Sequence, residues 1–272
     1  MTTLATLMVR VRFALKPFVY RLVRWRSLDR KSVAARITAI AGGHAETSAI
    51  APPPPHDASN ARLLGIALGA ATLAEEVTLP LLVEREAPAY VHLWPGEHYR
   101  LLAALVRHLK VSLVVEIGTY RGHSALAILP ELRDGARLVT FDVVPWSQTT
   151  ECLLRSSDFL DGRLTQEIAD LGDVRSTTRF AELLGAADLI FLDASKDGSL
   201  ERRILANLGR LRLREDLLVV LDDIRVWNML GTWREIARPK LDVTSLGHWS
   251  GTGLVDWSAP HLQRSAYPER TG

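Results

Sequence analysis

The residues best equipped for chemistry in this chain are carboxylates that follow short apolar runs. Asp193 ends the run Asp188–Leu192, and Asp222 and Asp223 end the run Leu217–Leu221. If those runs are adjacent strands, three carboxylates meet at one sheet edge, where they repel unless a proton or a cation is shared. A hard divalent ion such as Mg²⁺ meets that need, because it accepts one or two carboxylates together with waters and substrate oxygens. The bland alternative is a helix-capping pair with no ion. Lys196 stands three positions after Asp193 and brings an amine to the same place.

A second stretch runs from Val114 to Ser124. The apolar run Leu113 to Ile117 is too short for a helix and too unbroken for a half-exposed strand, so it suits the centre of a parallel sheet. Gly118 and Gly122 permit a tight turn and a close backbone approach, and a helix over Ser124–Leu129 follows. Such a unit aims backbone N–H groups and a positive helix end at a polar ligand. A dinucleotide loop would need glycine where Tyr120 stands, and a P-loop would need Lys where His123 follows Gly122. Neither fits. Asp142 lies 24 residues beyond Gly118, a spacing at which a strand-end acid can accept ribose hydroxyls.

The run Glu116-Ile117-Gly118-Thr119-x-x-Gly122-x-Ser124 resembles the first motif of class I S-adenosylmethionine-dependent methyltransferases. More narrowly, it is similar to the small-molecule O-methyltransferases related to the catechol and caffeoyl-coenzyme A enzymes. The resemblance covers roughly residues 95–257. It implies S-adenosyl-L-methionine as cofactor, held by Glu116, Gly118, Thr119, Gly122, Ser124, Asp142, Asp170 and Asp193. Asp170 would meet the adenine amino group, with Asp173 as its near rival, and Trp146 would shield the adenine edge. A divalent metal, Mg²⁺ or another, would sit on Asp193, Asp222 and Asp223. Lys196 would be the general base, its pKa pulled by the cation and partial burial until it can take a hydroxyl proton. The Asp222-Asp223 pair departs from the Asp-Asn of the catechol type and moves towards enzymes that methylate sugar hydroxyls in natural-product pathways.

These residues need a scaffold, and the chain spells one out. Strands are expected at Arg137–Phe141, Leu164–Ala169, Asp188–Leu192 and Leu217–Leu221, with helices over 147–158, 176–184 and 198–212 between them. Leu241–Leu246 and Gly253–Trp257 read as two final strands joined by the turn His248–Thr252. Upstream, Leu63 to Leu82 reads as one helix running to Pro80. Leu101–Leu109 keeps helical period, with Pro95 in its first turn. The expected fold is α/β: a Rossmann-like seven-stranded, mostly parallel sheet with helices on both faces and a helical N-terminal extension.

Three regions follow: residues 1–50 as a basic amphipathic helical extension, 51–90 as a Pro-rich linker and helix, and 91–272 as the cofactor-binding domain. Residues 1–40 hold nine Lys/Arg against one Asp, whereas the remainder holds 24 basic and 30 acidic residues. That pattern fits a peripheral contact with an anionic membrane surface, or a half-buried helix against its own domain or a partner subunit. The longest charge-free apolar stretch, Leu63 to Ala74, is shorter than a membrane span. Cys152 is the sole cysteine, which excludes an intrachain disulfide and suits a reducing cytoplasm. The acidic balance beyond residue 40 argues against nucleic acid as the partner. The expected partner is a small molecule bearing vicinal hydroxyls, a catechol or a sugar, and the expected assembly is a homo-oligomer. Trp227, Trp233, Trp249 and Trp257 supply candidate walls for the acceptor. Three alternatives remain: a metal-independent methyltransferase, an accessory protein of a biosynthetic pathway that binds the cofactor, and a membrane adaptor working through its N-terminus.

Overall fold

The computed structural model describes residues 60–226 and 228–257. Expectations for residues 1–59, and for Trp227, lie outside them. In chain order the helices are α1 (Asn60–Ala74), α2 (Pro80–Glu84), α3 (Tyr99–Leu109), α4 (His123–Ile128), α5 (Val174–Arg179), α6 (Ala181–Gly185), α7 (Ser199–Leu208) and α8 (Met229–Glu235). The strands are β1 (Leu113–Ile117), β2 (Arg137–Asp142), β3 (Leu164–Ile168), β4 (Leu189–Leu192), β5 (Leu218–Asp222), β6 (Lys240–Asp242) and β7 (Thr252–Asp256). They form one seven-stranded sheet in the order β3-β2-β1-β4-β5-β7-β6. β1 to β5 run parallel, and β7 is antiparallel to both β5 and β6. This is the mostly parallel, Rossmann-like α/β sheet expected from the sequence.

The central strands are mostly apolar because both faces are covered, with Glu116 and Thr140 as buried polar exceptions. Val114, Leu138, Phe191, Val220 and Leu254 face one core with Leu63, Leu102, Leu105 and Leu126 from α1, α3 and α4. Val115, Val139, Ile190, Val219 and Val255 face the other with Leu184, Ile204, Leu208 and Trp233 from α6, α7 and α8. Alternate side chains thus enter opposite cores, which favours apolar residues on both faces. Chain order reverses between β1 and β4, so their carboxyl ends open the crevice where ligands of such sheets bind.

Several elements differ from the sequence reading. The expected single helix from Leu63 ends at Ala74. Leu79 takes a left-handed backbone (φ 51°), and Pro80, lacking an N–H, starts a new helix instead of closing the old one. Pro95 precedes α3 outside its first turn; its neighbour Gly96 bridges to His248. Residues 147–158 are not a helix. Two short 3₁₀ turns, Trp146–Gln148 and Ser156–Phe159, flank a stretch in which Glu151 is left-handed (φ 59°) and the Leu153 N–H donates to the Arg121 carbonyl. The 176–184 helix is two, broken at Phe180, whose ring packs edge-on against Phe141. The expected 198–212 helix stops at Leu208, and α8 was not foreseen. The Leu241–Leu246 strand shrinks to β6 and a 3₁₀ turn. Among the described residues no helix is long and apolar enough to cross a membrane.

Arg85, just past α2, forks onto Asp158: its Nη2 donates to Oδ1 at 2.8 Å and its Nη1 to Oδ2 at 3.2 Å, with Nη1 also reaching the Leu153 carbonyl. Both side chains are buried, at 5% and 6% exposure. Removing one partner strands the other's charge, so Asp158→Ala is expected to lower the unfolding free energy by about 3 kcal/mol in urea titrations. A loss below about 1 kcal/mol, the range of exposed pairs, would show that the fork is only a surface contact.

Candidate active site

The turn after β1 is shaped by backbone proximity. Gly118 (φ 110°), Tyr120 (φ 41°) and Gly122 (φ 77°) all take positive φ, so the chain folds back on itself within five residues. A Cβ on Gly118 would lie 1.9 Å from the Asp193 carbonyl oxygen, so β1 and β4 can meet at the switch point only with glycine there. Beneath the loop, the Thr119 and Thr140 hydroxyls are 2.7 Å apart and the Gln166 amide donates to Thr119 at 3.0 Å. Glu116, opposite Thr140 in the register, has no exposed surface. Neither of its oxygens closes a well-formed hydrogen bond, and burial pushes its pKa up to about 8, partly offset by the nearby Thr140 and Ser124 hydroxyls. Glu116, Thr119 and Ser124 are therefore buried supports under the turn, whereas Gly118 and the exposed Tyr120 form its open face.

Asp142 closes the next strand. Its Oδ2 accepts from the Tyr120 N–H at 2.9 Å, and its Oδ1 accepts from Val143 and Val144 at 2.7 and 3.2 Å. The acid thus ties β2 to the glycine turn and retains lone pairs towards the crevice. Asp170 is exposed and its Oδ1 accepts from Gly172. Asp173, its rival, is the N-cap of α5, accepting from the Ser176 N–H at 3.1 Å. The structure gives Asp173 capping work and leaves Asp170 at the strand end. Trp146 stacks on Phe159 at 5.2 Å beside this edge.

Asp193, Asp222 and Asp223 converge as the sequence predicts, and Lys196 lies among them. Its Nζ is 2.5 Å from Asp223, 3.1 Å from Asp193 and 3.9 Å from Asp222. Burial works against this ammonium, but three carboxylates more than reverse it and raise the pKa above that of a free lysine. With these carboxylates around it, Lys196 is a cation held by its neighbours. Burial pushes Asp193 up to about 6 and, with Asp222 beside it, raises Asp223. Burial opposes ionisation of Asp222 too, yet His98, His248 and Lys196 hold its pKa well below the usual range.

Three side chains of the cluster escaped the sequence reading: Glu97, His98 and His248. β7 is antiparallel, so the loop ahead of it returns to the carboxyl edge of β5 and brings His248 and Ser250 there. The Gly96–His248 bridge and the Trp249 N–H, donating to the Gly96 carbonyl, then draw in the segment before α3. His248 Nδ1 lies 3.0 Å from Asp222 and 2.8 Å from the Ser250 hydroxyl, its Nε2 lies 3.3 Å from Glu97, and Ser250 donates to Asp223. Burial disfavours charge on His248, but Asp222, Asp223 and Glu97 outweigh it and raise its pKa to about 9. Burial lifts Glu97 to about 7 and drops His98 to about 4. Three sets within this cluster bring one ligand atom each within 4.8 Å of one another: Glu97, His98 and His248; His98, Asp193 and Asp222; Asp222, Asp223 and His248. These are the side chains that would hold a divalent ion there, their carboxylates and imidazoles supplying its ligands. Of the tryptophans, Trp233 and Trp257 are core residues, and Trp249 is 59% exposed with its ring edge-on to His248.

Residues 115–224 match the family model described as a methyltransferase domain, a span from β1 to just past β5. Over 128 residues the chain is 28% identical to catechol O-methyltransferase of Mus musculus, covering 47% of this chain. It spans about half the length (48%) of that curated relative. Among solved structures, it is similar to an O-methyltransferase from Bacillus cereus in complex with SAH, at 20% identity and TM-score 0.45 over 67% of this chain and 89% of that one. It is also similar to the O-methyltransferase TomG from Streptomyces achromogenes, at 18% identity and TM-score 0.44 over 68% and 88%.

The buried Glu116 makes a signed prediction. Its ordinary pKa near 4.5 rises to about 8 on folding. Below pH 4.5 both states are protonated. Between 4.5 and 8 the unfolded chain ionises first, so stability falls as pH rises, and it levels off above 8. Glu116→Gln removes this titration. The melting temperature of the variant minus that of wild type is expected to grow from pH 5 to pH 8, and a gap constant across that range would show that the carboxyl titrates normally.

Proposed function

We propose that the class I methyltransferase domain carried by this chain binds S-adenosyl-L-methionine over the β1 turn and methylates one hydroxyl of a vicinal pair on a small molecule, with a divalent cation at the aspartate cluster. The observation that carries this reading is convergence. The glycine turn, Asp142 and the Asp193–Asp222–Asp223 cluster lie along one edge of one sheet, and Gly118 and Asp193 are in backbone contact.

Each residue has a task in this reading. The open face of Gly118 lets the cofactor approach the backbone, and Asp142 accepts from its ribose hydroxyls while holding the turn in place. A bound divalent cation supplies electrostatic stabilisation of an ionised acceptor hydroxyl. Asp193, Asp222 and Asp223 would hold it. Once their charge is shared with an ion, the attraction that keeps Lys196 protonated weakens, and its Nζ can take the hydroxyl proton. The acceptor oxygen needs only to be held in line with the sulfonium methyl, so positioning carries much of the rate. Trp249, exposed beside His248, is the aromatic wall available for a flat or sugar ring. From their basic amphipathic pattern, residues 1–40 are read as a peripheral membrane or partner contact of a cytoplasmic enzyme.

One observation favours a second reading, a methyltransferase without metal. The Lys196 ammonium already neutralises part of the cluster, at 2.5 Å from Asp223 and 3.1 Å from Asp193.

Calorimetry with S-adenosylhomocysteine tests the cofactor site. Saturable binding is expected, weakened about 10-fold or more in Asp142→Asn, the scale of a lost charge-assisted hydrogen bond. Methyl transfer from labelled cofactor to catechol, as a model vicinal diol, is expected with a divalent cation, Mg²⁺, Mn²⁺ or Co²⁺ being tried in turn, and lost with EDTA or in Asp222→Asn. Absence of cofactor binding would sink the whole reading, whereas transfer indifferent to EDTA would select the metal-free one.

A further inference from the structure

His98 stands buried and unsatisfied beside the acidic cluster. It is 3% exposed, and neither ring nitrogen has a hydrogen-bond partner among the described residues. Burying an imidazole without partners is costly, and an ordinary core residue would not carry that cost. The ring lies among Tyr99, Phe191 and His248, at centroid distances of 4.3, 5.3 and 5.2 Å. Its Nδ1 is directed at the cluster, 3.5 Å from Asp222 Oδ1. That is too long for a good hydrogen bond and short enough for two ligands of one ion. His248 is in a different position: its ring nitrogens already meet Asp222, Ser250 and Glu97.

Resting on the reading of the aspartate cluster as a metal centre, we propose that His98 is a ligand of that centre together with Asp193 and Asp222. The mixed imidazole–carboxylate set makes it a site for a first-row transition-metal dication rather than an all-oxygen Mg²⁺ site. One ligand atom from each of these three residues lies within 4.8 Å of the others. Mg²⁺ takes oxygen ligands and keeps its waters, whereas imidazole nitrogen suits iron, cobalt, nickel and zinc. Three protein ligands leave further positions for acceptor oxygens. His248, fixed by Glu97 and Ser250, orients the Asp222 carboxylate from behind.

The test uses the full chain with Co²⁺ and Mn²⁺ as probes and needs no turnover. Titration of wild type with Co²⁺ is expected to give visible d–d bands of a nitrogen- and oxygen-ligated ion. Pulsed EPR of the Mn²⁺ form is expected to show coupling to one imidazole nitrogen. His98→Gln is expected to lose that coupling and to bind Co²⁺ at least about 10-fold more weakly, with Mg²⁺ affinity little changed. His248→Gln, a second variant should His98→Gln fail to fold, is expected to keep the coupling. Coupling that vanishes in His248→Gln, or survives in His98→Gln, would move ligation to His248 and overturn the assignment. Metal bound to wild type with no nitrogen coupling would overturn it too, while leaving the carboxylate metal centre and the methyltransferase reading intact. No metal binding by any ion would remove both this inference and the metal, while S-adenosylhomocysteine calorimetry would still decide the cofactor site.

Discussion

The arrangement of this protein turns on one electrostatic constraint: four acidic side chains are packed at one end of one sheet, where they repel each other in a poorly solvated place. Asp193, Asp222, Asp223 and Glu97 are there because parallel strands must all end on the same side and because the loop before β7 draws the segment before α3 against them. Cations must accompany them or protons must bind. The chain meets that demand with Lys196 and His248, and Ser250 adds a hydroxyl to Asp223. Lys196 accepts a left-handed backbone (φ 64°) to reach the carboxylates, and so does Asp223 (φ 57°). Strain of this kind persists where the surroundings over-determine it. Here the surroundings are charge.

The cofactor side and the cluster side are built on different principles. Around β1 the working surface is backbone: glycine turns, N–H groups, and one acid that organises them. Side chains there are buried supports, and Glu116 reports it most clearly, since a carboxyl with no exposed surface can act only through the loop above it. Around β4 and β5 the working surface is side chain, with charge balance in place of shape. The two meet where Gly118 touches the Asp193 carbonyl. A displacement at either side is felt at the other through that contact.

What the sequence disclosed follows the same division. Strands buried on both faces leave near-continuous apolar runs, clearest in Leu189–Leu192 and Leu217–Leu221, and both of these end in an acid. Asp193, Asp222 and Asp223 could be brought together from strand ends alone. The residues from 147 to 158 misled, since helical-looking composition was overridden by tertiary bonds: the Leu153 N–H goes to Arg121, and Trp146 and Phe159 stack on each other. Trp233, a candidate for the acceptor wall, fills the space beside Gly253 instead. Glu97, His98 and His248 were illegible for a plain reason. His248 lies 150 residues beyond His98, and only an antiparallel last strand, paired against a parallel neighbour, carries it back to the other two. The turn His248–Thr252 was visible in the sequence; its destination was not.

The placement of β7 also fixes the order in which a growing chain can be completed. β6 is made before β7 but touches the sheet only through it, because β7 lies between β5 and β6. A nascent chain that has released β5 therefore presents an open sheet edge and an aspartate pair without His248 or Ser250. The last described residues to be synthesised close the edge and deliver those two side chains in one event. Sealing of the sheet and completion of the acidic cluster therefore depend on the same segment, so a chain truncated before residue 248 would lack both.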